Sequence, residues 1–417
     1  MKIGRRRVVA AVATALGSGF APSLLAQEKV IKFGMAQDFT KVYTFVTAEY
    51  SQGQRDYITL VNERGGIRGW KIHAEVVDHG NEPQRGIEAY ERFKREGVVL
   101  LDPFSTPVSR ALVQRALDDK INLITAFSGR SDAADGSVFP YVIPMSASYW
   151  SQAALLIEYI ARQEKDLKGK KIAFVHIDTP FGKEPLPLLH EMAKQRGFEL
   201  VTFPYAPPGN EQAAVWTQVR RANPNWTIIW GAGVGQTVSL KEAIRNGISL
   251  EKIASVTWLS ESDMKVVGPD AAKGVLKFEG AAAGREPKVI QDILRDVVAK
   301  GKGAGPKELV GTAYYNVGVM MASLMVEGVR RGLEITQGGP LTPQSLNEGL
   351  RSIRGFNAEG LAPPITVSKT DHQGGGMGRI AQWDGTRWVP KTDWMAGDQD
   401  LVWKLIRQSS AEFKKPS

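Results

Sequence analysis

Ser105-Thr106-Pro107 is the stretch whose residue types and order best suit ligand chemistry. It follows an apolar run that reads as a strand and opens an amphipathic run that reads as a helix. Thr106 falls at the expected N-cap and Pro107 at the first helical position. Plain capping accounts for this pattern. The same free backbone N–H groups and hydroxyls, lying beyond the carboxyl end of a strand, are also a ready site for a carboxylate. Thr125-Ala126-Phe127-Ser128 ends the next apolar run similarly, which would set two polar strand ends side by side.

Other chemistries find less support. Gly231-Ala232-Gly233-Val234-Gly235 follows an apolar strand, but a dinucleotide fingerprint needs its third glycine five places after the first, and Gln236 stands there. A tight strand-to-helix turn is the simpler reading. Residues 301–307 lack the Gly-Lys-Ser/Thr ending of a phosphate loop, so no nucleotide or other cofactor is expected. The five histidines, His73, His79, His176, His190 and His372, show no i, i+4 pairing and support neither a metal site nor an imidazole base. The absence of cysteine excludes thiolate catalysis, disulfides and cysteine-ligated metals. No Gly-x-Ser-x-Gly elbow is present, which weakens a hydrolase reading. No catalytic residue is therefore assigned, and the chain is not expected to be an enzyme.

These residues must be positioned by a large scaffold. The chain has 417 residues, 43% hydrophobic and 23% charged, with 43 glycines and 22 prolines, which excludes disorder and collagen-like repeats. Strands are expected at residues 30–35, 71–78, 98–101 and 122–125, alternating with helices at 49–62, 83–96 and 107–119. The series pauses at 138–144 and restarts with a helix at 148–161. Strands then follow at 171–177, 199–203, 227–230, 253–257 and 275–278, with helices at 183–196, 211–221 and 239–246. This alternation predicts an α/β protein of two successive doubly wound lobes, each with a central parallel sheet. Helices at 287–300 and 309–331 could not stand alone and are expected to return over the first lobe. A hairpin at 380–383 and 386–389 is expected to turn at Asp384-Gly385. Trp383, Trp388, Trp394 and Trp403 are expected to pack against a lobe.

The N-terminus carries Lys2, Arg5, Arg6 and Arg7, an apolar run at 8–16, and a small-residue stretch ending at Leu24-Leu25-Ala26. This order predicts a secretory signal peptide over residues 1–26, since the apolar run is too short to span a bilayer. The arginines form an incomplete twin-arginine motif, so the export route stays open. No cysteine follows to carry a lipid. The leader holds four of the 53 basic residues, leaving 49 against 44 acids, so the formal +9 falls to about +5 and no longer argues for nucleic acid.

Asn62-Glu63-Arg64-Gly65-Gly66-Ile67-Arg68-Gly69, then the strand to Asp78 and Asn81-Glu82-Pro83, resembles the branched-chain amino-acid-binding family of type I periplasmic solute-binding proteins. So do Asp178-Thr179-Pro180-Phe181-Gly182 and Asp270-Ala271-Ala272-Lys273-Gly274-Val275, in the same order along residues 31–392. The resemblance implies lobes joined by three crossovers, near Pro144, Gly280 and Leu361. It divides the chain into residues 27–144 with 281–361 for the first lobe, and 145–280 with 362–417 for the second lobe and tail.

The resemblance also implies a site. Ser105, Thr106, Thr125 and Phe127 would hold a ligand carboxylate from the first lobe, and Phe181 would pack on the ligand from the second. Tyr43 and Phe45 would face its side chain. Trp258, Glu261 and Asp263 compete for the place of an acid that binds a ligand ammonium, with Glu261 preferred and solvated surface charge the alternative. Asp102-Pro103-Phe104 departs from the glycine and small residues of many relatives and gives a bulkier, more aromatic edge. An aliphatic or aromatic acid, or an amide, thus stands beside a branched-chain amino acid as ligand. The implied function is a monomeric periplasmic receptor that delivers its ligand to an inner-membrane ABC permease. A periplasmic sensor partnering a receptor kinase is the alternative, and an exported hydrolase a more distant one.

Overall fold

The computed structural model describes residues 29–414 apart from 126 and 128, so the expected leader lies outside the described residues. The first lobe runs through β1 (Val30–Gln37), α1 (Thr44–Glu63), β2 (Lys71–Asp78), α2 (Pro83–Arg95), β3 (Leu100–Asp102), α3 (Thr106–Asp119), β4 (Asn122–Ile124) and β5 (Val142–Ile143). Its strands pair in parallel in the order β2-β1-β3-β4-β5. Residues on β3, β4 and β5 are buried throughout, as a sheet covered on both faces requires.

The chain then builds the second lobe: α4 (Tyr149–Glu164), β6 (Lys171–Ile177), α5 (Pro180–Lys183), α6 (Leu186–Arg196), β7 (Glu199–Tyr205), α7 (Ala213–Ala222), β8 (Trp226–Trp230), α8 (Val234–Arg245), β9 (Ile253–Ser255), α9 (Glu261–Val267) and β10 (Leu276–Glu279). It returns to the first lobe for α10 (Lys288–Asp296), α11 (Ala313–Ile335) and α12 (Pro343–Leu350). It ends in β11 (Arg379–Trp383), β12 (Trp388–Pro390) and α13 (Gln399–Phe413). The second sheet has the order β12-β11-β10-β9-β8-β6-β7, parallel except for the antiparallel hairpin at its edge.

The helices expected to return do so by packing α11 along α1. The two backbones touch where Gly53 faces Gly318. A Cβ on Gly53 would sit 2.1 Å from the Tyr315 carbonyl oxygen, and one on Gly318 would sit 2.1 Å from that of Tyr50. Only glycine allows so close an approach, and the gain is continuous dispersion contact along both helices.

Several boundaries differ from expectation for local reasons. α1 starts at Thr44, not 49, because the Asp38 carboxylate accepts the N–H groups of Thr40, Lys41, Val42 and Tyr43 at 2.7–3.2 Å and organises the turn ahead of the helix. Ser105, not Thr106, is the N-cap of α3; its side chain accepts from Val108 N, and Thr106 is already helical. The hairpin turns one residue later than expected: Trp383 pairs with Trp388, and Asp384 N donates to Arg387 O across the turn. The chain also stays on the first lobe past Leu361. His372 N donates to Ala134 O, and Met145 N donates to His372 O.

The tail packs as expected at Trp383 and Trp388, whose rings meet at 5.4 Å in the second-lobe core. α13 lies against α4 and α6 and also against the 3-10 turn Ser131–Ala134 of the first lobe. There Ser409 and Ser410 donate to Asp132 and Asp135, and Phe413 stacks near Phe139 at 4.7 Å.

Candidate functional site

A cavity of about 420 Å³ opens between the lobes. Lys41, Val42, Tyr43, Thr44, Phe45, Asn81 and Pro107 wall it from the first lobe. Ile177, Thr179, Pro180, Phe181, Pro207, Pro208, Ala232, Gly233 and Val234 wall it from the second. Every one of these segments lies at or just beyond the carboxyl end of a parallel strand, where such sheets place their ligands. The size is that of small-molecule sites. Gly233, the residue preceding α8, faces Phe45 across the cavity; a Cβ there would lie 2.7 Å from the Phe45 ring. The glycine-rich segment is thus a tight strand-to-helix turn that lets an aromatic ring approach.

Behind the cavity the lobes meet through aromatic rings. Trp258 of the second lobe meets Phe104 at 5.6 Å, Phe127 at 6.3 Å and Tyr314 at 5.9 Å, all from the first lobe. Phe104 and Phe127 follow β3 and β4 with φ of 37° and 47°. Such values are costly for a bulky side chain and persist only where packing enforces them. Phe104 is held by stacking on Tyr50 at 3.8 Å, and Tyr50 in turn donates to the buried Asp102 at 2.7 Å. Burial pushes the Asp102 carboxyl up to about 6.

A polar knot sits among these rings. The Thr106 hydroxyl interacts with the hydroxyls of Tyr43 and Tyr149, and Trp258 Nε1 donates to Tyr149 Oη at 2.9 Å. Gly129 N donates to Thr106 Oγ1 at 3.4 Å. Burial pushes the Tyr43 phenol up to about 12 and that of Tyr149 well above its ordinary value, so both remain neutral hydrogen-bonding groups. Trp230 Nε1 and Thr125 Oγ1 are buried close by and have no hydrogen-bond partner among the described residues.

The residues singled out in the sequence distribute unevenly. Tyr43, Phe45 and Phe181 line the cavity itself. Thr106 lies one layer behind, next to the lining Pro107. The Ser105 hydroxyl is committed to the α3 cap and to donating to Asn81 Oδ1 at 2.7 Å. Phe127 turns toward the hinge, where a Cβ on Gly280 would meet its ring at 2.7 Å. Trp258 joins the lobes, while the Glu261 carboxylate accepts from Ala313 N at 3.2 Å through either oxygen, at the start of α11. That charge sits where a helix N-terminus favours an anion.

Beyond Glu261 runs a seam of buried charge. Glu49 accepts from Thr312 Oγ1 at 2.6 Å, and Asp263 accepts from Ser260 N at 2.9 Å in a capping box. Burial pushes both carboxyls up to about 7. Lys277 is almost fully buried, donates to Leu259 O at 2.9 Å, and lies 4.5 Å from the Trp388 ring; burial lowers its pKa. Glu279 pairs with Arg379. Elsewhere between the lobes, Arg110 pairs with Glu184, which also accepts from Ser131 N at 2.8 Å.

Asn81, Tyr149, Trp230 and the Pro207-Pro208 segment were not singled out as site residues. Tyr149 had a readable signal, an aromatic pair opening the helix after the first lobe. Pro207-Pro208 had none, because nothing local says that the loop after β7 folds back over a cleft.

Known proteins share this architecture. A Pseudomonas fluorescens group protein described as an ABC transporter permease is 34% identical, with a TM-score of 0.86 over 93% of this chain and 97% of its own. A branched-chain amino acid ABC transporter protein from Thermus thermophilus, solved with bound valine, is 22% identical, with a TM-score of 0.79 over 91% of this chain and 99% of its own. A Leu/Ile/Val-binding protein homolog of Brucella melitensis is 20% identical over 76% of this chain and 84% of its own length. The periplasmic binding protein family model matches residues 30–387, which span nearly all of both sheets and the cleft between them, and the chain belongs to that family.

Proposed function

We propose that this chain is the exported, periplasmic solute receptor of an ABC importer. It closes two lobes over one small carboxylate-bearing or amide ligand and presents the closed form to an inner-membrane permease. The observation that carries this reading is the cavity walled by both lobes at the carboxyl ends of their strands. A ligand that touches both walls stabilises the closed form through its differential affinity for that form, so capture and signal to the permease are one event. The cleft chemistry supports binding: its walls are mostly apolar side chains, with Lys41 at the rim and neutral hydroxyls and indole N–H groups behind. By the family resemblance, the strand ends that carry Ser105, Thr106, Thr125 and Phe127 face the ligand carboxylate from the first lobe, with the Ser105 hydroxyl spent on the α3 cap and Phe127 turned toward Gly280, and Tyr43, Phe45 and Phe181 face its body.

Trp258 and Trp230 make closure visible. Titrating the mature chain with a panel of amino acids, organic acids and amides is expected to shift tryptophan fluorescence saturably for at least one class. A flat response across the panel, with calorimetry also silent, would overturn the receptor reading.

A further inference from the structure

We propose that the cleft takes a small apolar carboxylate that bears no ammonium group, an aliphatic or aromatic acid in preference to an α-amino acid. The proposal rests on the receptor reading above and concerns only which ligand chemistry the cleft accepts.

Among the described residues, the lining carries no acid. Its one charged side chain is Lys41, and the rest is dominated by Val42, Phe45, Pro107, Phe181 and Val234. An ammonium brought into such a site would lose its hydration without gaining a free counter-charge, since Glu82 beside the rim is already paired with Lys41 at 3.7 Å.

Acids near the cleft are committed elsewhere. Asp38 accepts four backbone N–H groups of the 40–43 turn. Asp102 lies behind Phe104 and accepts from Tyr50 and Gln54. Glu184 is paired with Arg110, and Asp178 is paired with Lys183. Glu261, the acid the family resemblance would offer to an ammonium, accepts from the first N–H of α11 and does not line this cavity; it borders a separate surface groove. Even the neutral acceptor Asn81 Oδ1 already receives the Ser105 hydroxyl.

What faces a ligand is instead able to donate. Lys41 stands on the rim. The Trp230 indole N–H is buried with no partner among the described residues, and its ring lies 6.5 Å from that of the lining Phe181. Donors with apolar walls and no acid match an anion with a hydrocarbon body.

Matched pairs test the idea. Calorimetric titration of the mature chain would compare 3-phenylpropanoate with phenylalanine, and 4-methylpentanoate with leucine, each pair differing only in the ammonium. The neutral amides of both acids and choline complete the set. In at least one pair the acid is expected to bind ten-fold or more tightly than the amino acid and more tightly than the amide. An amino acid that binds as well as its acid, an amide that binds better, or choline as the tightest ligand would overturn the proposal and leave the receptor reading standing. Silence from the whole set, extended to the broader panel above, would overturn both.

Discussion

The interlobe contact has two flanks of opposite chemistry. On one, between Lys41–Phe45 and Pro180–Val234, the walls are apolar and enclose about 420 Å³ without an acid. On the other, Glu49, Glu261, Asp263, Lys277, Glu279 and Arg379 crowd around the start of α11 with hydrogen bonds or ion pairs already made. Trp258 stands between them, touching Phe104, Phe127 and Tyr314. The contrast teaches a division of labour. A buried charge without a partner is too costly to keep, so each acid on this flank takes a donor: Glu49 the Thr312 hydroxyl, Glu261 the Ala313 N–H, Asp263 the Ser260 N–H and Glu279 the Arg379 guanidinium. The other flank keeps the Trp230 indole N–H without a partner among the described residues.

The comparison can be broken most forcefully at its centre. Trp258→Ala removes the ring shared by both flanks and should cost about 3–5 kcal/mol, the range of large core truncations. Chemical denaturation and ligand titration should both register it; a loss confined to either one would mean that the flanks do not share this ring.

On the cavity flank, Phe181→Ala and Thr106→Ala should each weaken ligand binding by roughly 1–3 kcal/mol, the scale of a buried aromatic contact or a charge-assisted hydrogen bond. Parent-like affinity in both variants, measured by calorimetry, would remove the cavity from the ligand site. On the seam, Glu261→Gln should cost only about 0.5–1 kcal/mol, the worth of a charge at a helix N-terminus. Small-angle scattering should show a more open average without ligand, while the order of preference among ligands stays fixed. A changed order of preference would erase the distinction between the flanks.

The last effect concerns pH. Glu49 has its pKa raised by burial from the ordinary 4.5 to about 7, so the folded chain holds this proton more tightly than the unfolded one. Its contribution is fully present below about pH 4.5 and is lost as pH rises through about 7. Glu49→Gln should therefore gain stability relative to the parent over that interval. Denaturant midpoints measured from pH 4 to 8 would show it, and parallel curves would contradict it.

Much of the frame was legible because apolar alternation is a local signal. Every central strand was placed within a few residues by runs such as 171–177 and 227–230, since burial on both faces makes these runs mostly apolar. Boundaries failed where the deciding partner was remote in type or in sequence. The start of α1 depends on what the Asp38 carboxylate does. That the chain stays on the first lobe past Leu361 depends on His372 bonding to Ala134 and Val142, over two hundred residues away. Within the site, Tyr43, Phe45 and Phe181 could be named from motif neighbours, whereas Asn81, Pro207 and Gly233 enter the cavity only because separate strand ends converge.

By itself the sequence determined the kind of protein this is. Two α/β series, no cysteine and no catalytic motif are properties of composition and period, and each is read over windows a few residues long. The tertiary structure decided which groups remain available. Glu261 could be matched to an ammonium from its place in a loop, but the chain that returns at Ala313 offers it an N–H first. Whether a polar side chain is spent or free depends on what folds back against it, and that is set by packing over the whole chain, beyond any local window.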